Sequence, residues 1–115
     1  MQGKICLVTG ANRGIGRATA EALARQGATV LLHCRHRADG EVAKSEITAA
    51  TGNQNIVVLV ADLSAQAEVK RLAEEVQAGF PRLDVLVNNA GSFFLDRTVT
   101  PDNIEATFAI NHLAS

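Results

Sequence analysis

The run Lys4-Ile-Cys-Leu-Val-Thr-Gly-Ala-Asn-Arg-Gly-Ile-Gly16 puts Gly10, Gly14 and Gly16 where an apolar stretch gives way to an alanine-rich one. That spacing suits a turn that holds phosphate. Gly10 ends the apolar stretch in a turn that a Cβ would strain, Gly14 lets main-chain N–H groups approach a diphosphate, and Gly16 lets a following helix lie against the preceding strand. Asn12, Arg13 and Ile15 complete the turn. The positive end of the helix would face the anion, an attraction of ~0.3–1 kcal/mol at exposed sites and up to ~2 when partly buried. Ordinary turns also use glycine, so the flanking elements must decide.

Further along, Arg35 lies nineteen residues after Gly16, near where an acidic residue would bind the ribose hydroxyls of NAD. No acid stands there. A guanidinium at that place suits the 2′-phosphate of NADP, with Arg13 as a second cation. One charge-assisted bond of ~1.5–3 kcal/mol is roughly ten- to a hundredfold in affinity. NADP is therefore the expected cofactor over NAD, although a solvated arginine beside Arg37 reads the same way. Asp62-Leu63 and Asn88-Asn-Ala-Gly91 each follow an apolar run, and Asn111 falls on an apolar helical stripe, where an amide needs hydrogen-bond partners.

Four apolar runs of strand length carry these residues: Ile5–Val8, Thr29–Cys34, Ile56–Val60 and Val85–Val87. Each is nearly continuous, as in a parallel sheet covered on both faces. Between them the spacing predicts a helix from Ile15 to Gln26, with Ile15, Ala18, Ala22 and Leu23 on one side. A second runs from about Gly40 to Thr51, with Ala43, Ile47 and Ala50 in register. A third opens at Ser64 as N-cap and carries Val69, Leu72, Ala73 and Val76. A fourth opens at Thr100-Pro101, with Ile104, Phe108 and Asn111 on one stripe. Strict alternation with short connections predicts an α/β fold, a Rossmann-type doubly wound parallel sheet. Right-handed crossovers give the strand order 3-2-1-4. A crevice then opens at the carboxyl ends of the first and fourth strands, between Gly10–Gly16 and Asn88–Gly91.

Composition excludes other classes. The chain has 115 residues, 47% hydrophobic and 20% charged, with a formal charge of -1. That is ordinary for a globular domain and offers no basic field for nucleic acid. Cys6 and Cys34 are too few and too far apart for a disulfide framework or a zinc site, so no metal is expected. Core thiols in a reducing, cytoplasmic compartment are the plain reading. No apolar stretch approaches the roughly 20 residues of a membrane span, so no membrane partner is expected.

Together these segments resemble the short-chain dehydrogenase/reductase family. Thr9-Gly-Ala-Asn-Arg-Gly-Ile-Gly16 matches its Thr-Gly-x-x-x-Gly-x-Gly turn, followed in order by Asp62-Leu63, Asn88-Asn-Ala-Gly91 and Asn111. Cys34-Arg35 and Asn111-His112-Leu113 look most like the retinol-dehydrogenase-like branch. The resemblance covers residues 1–115. It implies an NAD(P)-binding domain, hydride transfer between the nicotinamide and a small alcohol or carbonyl substrate, and a homo-oligomeric full-length form. It also implies that Asp62 and Leu63 contact the adenine and that Asn89, Ala90 and Gly91 line the crevice beside the nicotinamide ribose. Asn111 would hold a water in a proton relay with a Ser, a Tyr and a Lys.

The family's Tyr-x-x-x-Lys pair is missing, since the sequence contains no tyrosine. The expectation is an N-terminal portion of such an enzyme, inactive alone. A non-catalytic nucleotide-binding module and a nonfunctional remnant are the alternatives. An unpaired fourth strand would leave an open sheet edge and a poorly stable chain. Phe93, Phe94 and Leu95 either face an apolar substrate or pack on the neighbouring helix.

Overall fold

A computed structural model describes residues 1–89 and the backbone of 95–97. The elements run β1 (Ile5–Val8), α1 (Gly14–Arg25), β2 (Thr29–Cys34), α2 (Arg37–Thr51), β3 (Ile56–Val60), α3 (Gln66–Gly79), β4 (Val85–Asn88) and β5 (Leu95–Arg97). In the sheet they lie in the order β3-β2-β1-β4-β5. β1 pairs in parallel with β2 and β4, and β2 with β3, so the order in which successive strands are laid down reverses between β1 and β4.

Each strand divides its side chains between two cores. Cys6, Val8, Val30, Leu32, Cys34, Ile56, Val58 and Val87 join Ala20, Leu23 and Ala24 of α1 and Ala43 and Ile47 of α2. The alternate residues Ile5, Leu7, Leu31, Leu59 and Leu86 join Val69, Leu72, Ala73 and Val76 of α3. Both faces are therefore dry, and each fully buried Leu or Val contributes ~1.5–3 kcal/mol. The α3 stripe is the one its spacing predicts.

Several local expectations are corrected. The buried side of α1 is Gly16, Ala20, Leu23 and Ala24, whereas Ile15, Ala18 and Ala22 are exposed. With alanine all around the helix, hydrophobicity does not mark a face. What selects it is how closely the backbone can approach the sheet. α2 starts at Arg37, not near Gly40, because Gly40 lies inside the helix where it crosses the sheet. A Cβ there would run into Cys34 Sγ and come within 2.7 Å of Val58 Cγ1, and Ala50 is exposed. Close packing thus outweighs the ~1 kcal/mol helical penalty of glycine.

The edge of β4, expected to be open, is paired with β5 in antiparallel register, Leu86 opposite Arg97 and Asn88 opposite Leu95. Ala90, Gly91, Phe93, Phe94, the helix expected from Thr100, Asn111 and His112 lie outside the described residues.

Candidate functional site

The carboxyl ends of β1, β2 and β4 meet around the glycine turn. Gly10 has φ 59° and Gly14 φ 62°, in the left-handed region where a side chain is strained. Between them Arg13 is extended, at φ -160°, and serves as N-cap of α1. Its side chain makes no capping hydrogen bond, so the first N–H groups of α1 keep their capacity for an acceptor from outside the helix. Gly16 is needed for a different reason. A Cβ on it would collide with the Gly10 carbonyl oxygen and stand 2.6 Å from Asn89 Nδ2 and 2.9 Å from the Gly10 carbonyl carbon. The helix start, the turn and the end of β4 are thereby packed into one unit.

Two sets of hydrogen bonds fix this turn in space. Towards β4, the Thr9 hydroxyl donates to Asn88 Oδ1 at 2.9 Å and accepts from the Asn89 N–H at 2.7 Å, and the Thr9 N–H donates to Val87 O at 3.0 Å. Thr9 and Asn88 are buried, so this network joins the two lips of the crevice across a dry contact. Towards β2, the Gly10 N–H donates to His33 Nδ1 at 3.1 Å and the Ala11 N–H to the His33 carbonyl at 2.9 Å. His33 Nε2 contacts Ala61 O at 2.9 Å. With Nδ1 accepting, Nε2 carries the proton and donates. Burial lowers the pKa of His33, against an opposing pull from the bond to Ala61, so the ring is neutral at neutral pH.

The outer rim holds Arg35 and Asp62. Arg35 Nη2 lies 3.4 Å from Asp62 Oδ2, and both side chains are exposed. Asp62 Oδ1 accepts the Ser64 hydroxyl at 2.6 Å and the Ser64 N–H at 3.0 Å. Those two bonds, then Arg35, hold the Asp62 carboxyl below the usual carboxylate range. Ser64 consequently does not cap α3. The N-cap is Ala65, and Glu68 in the first turn reaches back to the Asp62 N–H at 3.4 Å. Leu63 is half-buried against the α3-side core. Asn12 is half-buried in the turn, while Arg13 and Ile15 are exposed, Ile15 at 68%. Asn89 is half-buried beside Gly16. Of the residues singled out in the sequence, the structure thus gathers Gly10 to Gly16, Arg35, Asp62, Leu63 and Asn89 at one end of the sheet.

Sequence reasoning passed over His33, which reads there as one more position in a strand. Its signal was a lone polar residue in Val30-Leu-Leu-His-Cys34, on the same side of the strand as Leu31. Among the described residues no group of three or more His, Cys, Asp or Glu could hold a metal ion. No helix among them is long and apolar enough to cross a membrane.

The comparisons agree with this geometry. The family pattern described as short chain dehydrogenase matches residues 4–115. Retinol dehydrogenase 12 of Mus musculus is 43% identical over 111 residues, covering 96% of this chain and 35% of its own. Retinol dehydrogenase 11 of Homo sapiens is 42% identical over 113 residues, covering 98% of this chain and 36% of its own. The chain therefore spans about a third of the length of these curated relatives. Among solved structures, the oxidoreductase yciK of E. coli superposes with a TM-score of 0.72 at 38% identity, covering 79% of this chain and 38% of that one. The Pseudomonas aeruginosa RhlG/NADP active-site complex does so with a TM-score of 0.72 at 37% identity, covering 80% and 36%. The turn, the reversal of strand order between β1 and β4, and these likenesses agree: the chain belongs to the short-chain dehydrogenase family and is similar to its retinol-dehydrogenase-like branch.

Proposed function

We propose that this chain binds NADP and presents its nicotinamide for hydride transfer to or from a small alcohol or carbonyl compound. The observation that carries the reading is the uncapped start of α1, set beside two left-handed glycines at the point where the strand order reverses. The residues suit a dinucleotide: Gly10, Asn12, Arg13, Gly14, Ile15 and Gly16 would take its diphosphate, Arg35 and Arg13 the 2′-phosphate, Asp62 and Leu63 the adenine, and Asn89 the ribose by the nicotinamide. When bound, the nicotinamide supplies a hydride acceptor or donor.

What the chain itself does is bind and orient. The main-chain N–H groups of α1 meet negative charge without needing to reorganise, because the turn is tied to both neighbouring strands. Arg35 already faces a carboxylate at 3.4 Å, so a phosphate would exchange one anionic partner for a stronger one. The cysteines are free and buried, which suits the cytoplasm we propose for it.

The sequence contains no tyrosine, so the family's acid–base Tyr–Lys pair is not among these residues and hydride transfer requires that pair from elsewhere. A second reading, a non-catalytic nucleotide-binding module, would use the same cofactor turn. Calorimetric titration with NADP and NAD tests what the two share. Saturable binding supports both, and absence of binding rejects both. Arg35→Ala should weaken NADP about tenfold or more and NAD about twofold or less. Equal losses would reject the assignment of Arg35 to the 2′-phosphate.

A further inference from the structure

We propose that His33 is a positioning residue for the dinucleotide turn, and that protonating its imidazole loosens the turn so that cofactor affinity falls in acid. This rests on the cofactor reading above and adds a regulation to it. Two consecutive amides of the turn end on this one residue: the Gly10 N–H on ring Nδ1 at 3.1 Å and the Ala11 N–H on the main-chain carbonyl at 2.9 Å. The opposite ring nitrogen holds Ala61 O at 2.9 Å. His33 therefore joins the ends of β1, β2 and β3 with both ring nitrogens engaged.

The arrangement works in only one protonation state. Nδ1 accepts from Gly10 only while it carries no proton. A proton there would set donor against donor and place a cation in a site only 4% exposed. Either the ring or Gly10 must then move. Movement of Gly10 reaches the helix start directly, because its carbonyl occupies the space where a Gly16 Cβ would sit. The ionisable groups on the elements around the ring are Cys6 on β1, Arg13 in the turn, Cys34 and Arg35 on or just after its own strand, Asp62 after β3, and Glu68, Lys70, Arg71, Glu74 and Glu75 on α3. Cys34 turns into the opposite core. Arg35 pairs with Asp62 at 3.4 Å, and Arg71 with Glu68 at 3.0 Å and with Glu75 at 3.6 Å.

The test uses the full chain and two variants. His33→Gln keeps an acceptor and a donor but does not titrate, whereas His33→Leu keeps the bulk and has neither. Calorimetric titrations from pH 5 to 8 use NADP and NAD, since the 2′-phosphate itself ionises near pH ~6 and NAD lacks it. Expected are a wild-type affinity for both cofactors about tenfold lower at pH 5 than at pH 7.5, and a His33→Gln protein that binds as wild type at pH 7.5 without that fall for NAD. His33→Leu should bind about tenfold more weakly already at pH 7.5. Parallel pH profiles for wild type and His33→Gln, or wild-type affinity in His33→Leu, would overturn the proposal.

If the wild type binds neither cofactor at any pH, the cofactor reading falls, and the positioning claim is judged by nuclear magnetic resonance of the free chain. The ring nitrogen shifts should report a neutral ring protonated at Nε2, and the Gly10 amide should move and exchange faster as that ring takes up a proton. A Gly10 amide that ignores the titration would overturn it. Circular dichroism melts of all three proteins identify a variant that has merely unfolded.

Discussion

Gly16→Ala is the most direct perturbation of the site, because the substitution adds one methyl group and the structure says what it meets. Gly16 does not have positive φ, so backbone strain is not at issue. The clash is with the Gly10 carbonyl oxygen, with the Gly10 carbonyl carbon at 2.9 Å and with Asn89 Nδ2 at 2.6 Å. Asn89 can swing aside. The Gly10 backbone cannot do so cheaply, since its N–H and that of Ala11 are both bonded to His33. Relief therefore requires α1 to lift from β1 or the turn to give up its bonds. Overpacking of this kind costs ~1–3 kcal/mol, and a rigid backbone neighbour puts the expectation at about 2–3. At ~4–8 °C per kcal/mol for a domain near this size, the melting midpoint should fall by roughly 8–24 °C. The assay is thermal melting by circular dichroism beside a control, Gly79→Ala, at the end of α3, where an added Cβ meets nothing within 4 Å. That control should be neutral to ~1 kcal/mol more stable. Calorimetry on the surviving fold should show NADP binding weakened at least about tenfold. A Gly16→Ala protein that melts within ~2 °C of wild type would refute the claim that helix start and turn are packed as one unit.

Three further outcomes are expected beside the Arg35 and His33 experiments. Thr9→Val removes the donor to Asn88 Oδ1 and the acceptor for the Asn89 N–H, two hydrogen bonds of the network, and should cost about 1–3 kcal/mol in a denaturant melt; an unchanged midpoint would place no weight on that network. Asp84 accepts the Ile5 N–H at 2.8 Å and pairs with Arg82 at 3.0 Å, which together lower its pKa, the bond to Ile5 most. Its contribution to stability is present above the ordinary value of 3.8 and lost as pH falls through the lower folded value, so Asp84→Asn should flatten the acid limb of stability against pH. His33 has the same sign: its pKa is lowered on folding, so stability declines as pH falls below 6.5, and His33→Gln should remove that decline.

Much of the frame was legible locally. Nearly continuous apolar runs located three strands at their observed bounds and a fourth within one residue, because a strand buried on both faces is apolar at nearly every position. The stripe of α3 was equally legible, since Val69, Leu72, Ala73 and Val76 stand out against a charged background. The glycine turn could be read because glycine adopts the left-handed φ of residues 10 and 14 far more readily than residues with a Cβ. Where contrast was lacking, the reading slipped. An alanine-rich α1 has no chemical marker of its buried face, Gly40 looked like a helix boundary although it is a contact, and Ser64 looked like a cap although its hydroxyl is taken by Asp62.

Sequence by itself determined the alternation of strands and helices, the crossover order and the turn chemistry, all of which follow from period, propensity and the conformational range of single residues. Tertiary structure alone decided what holds that turn. Thr9 meets Asn88 across 79 residues of chain, Gly10 meets His33 across 23, and His33 meets Ala61 across 28. None of these partners is specified by local spacing. They meet because two dry cores bring the carboxyl ends of the strands together, where every buried N–H and hydroxyl needs a partner that the chain supplies from elsewhere.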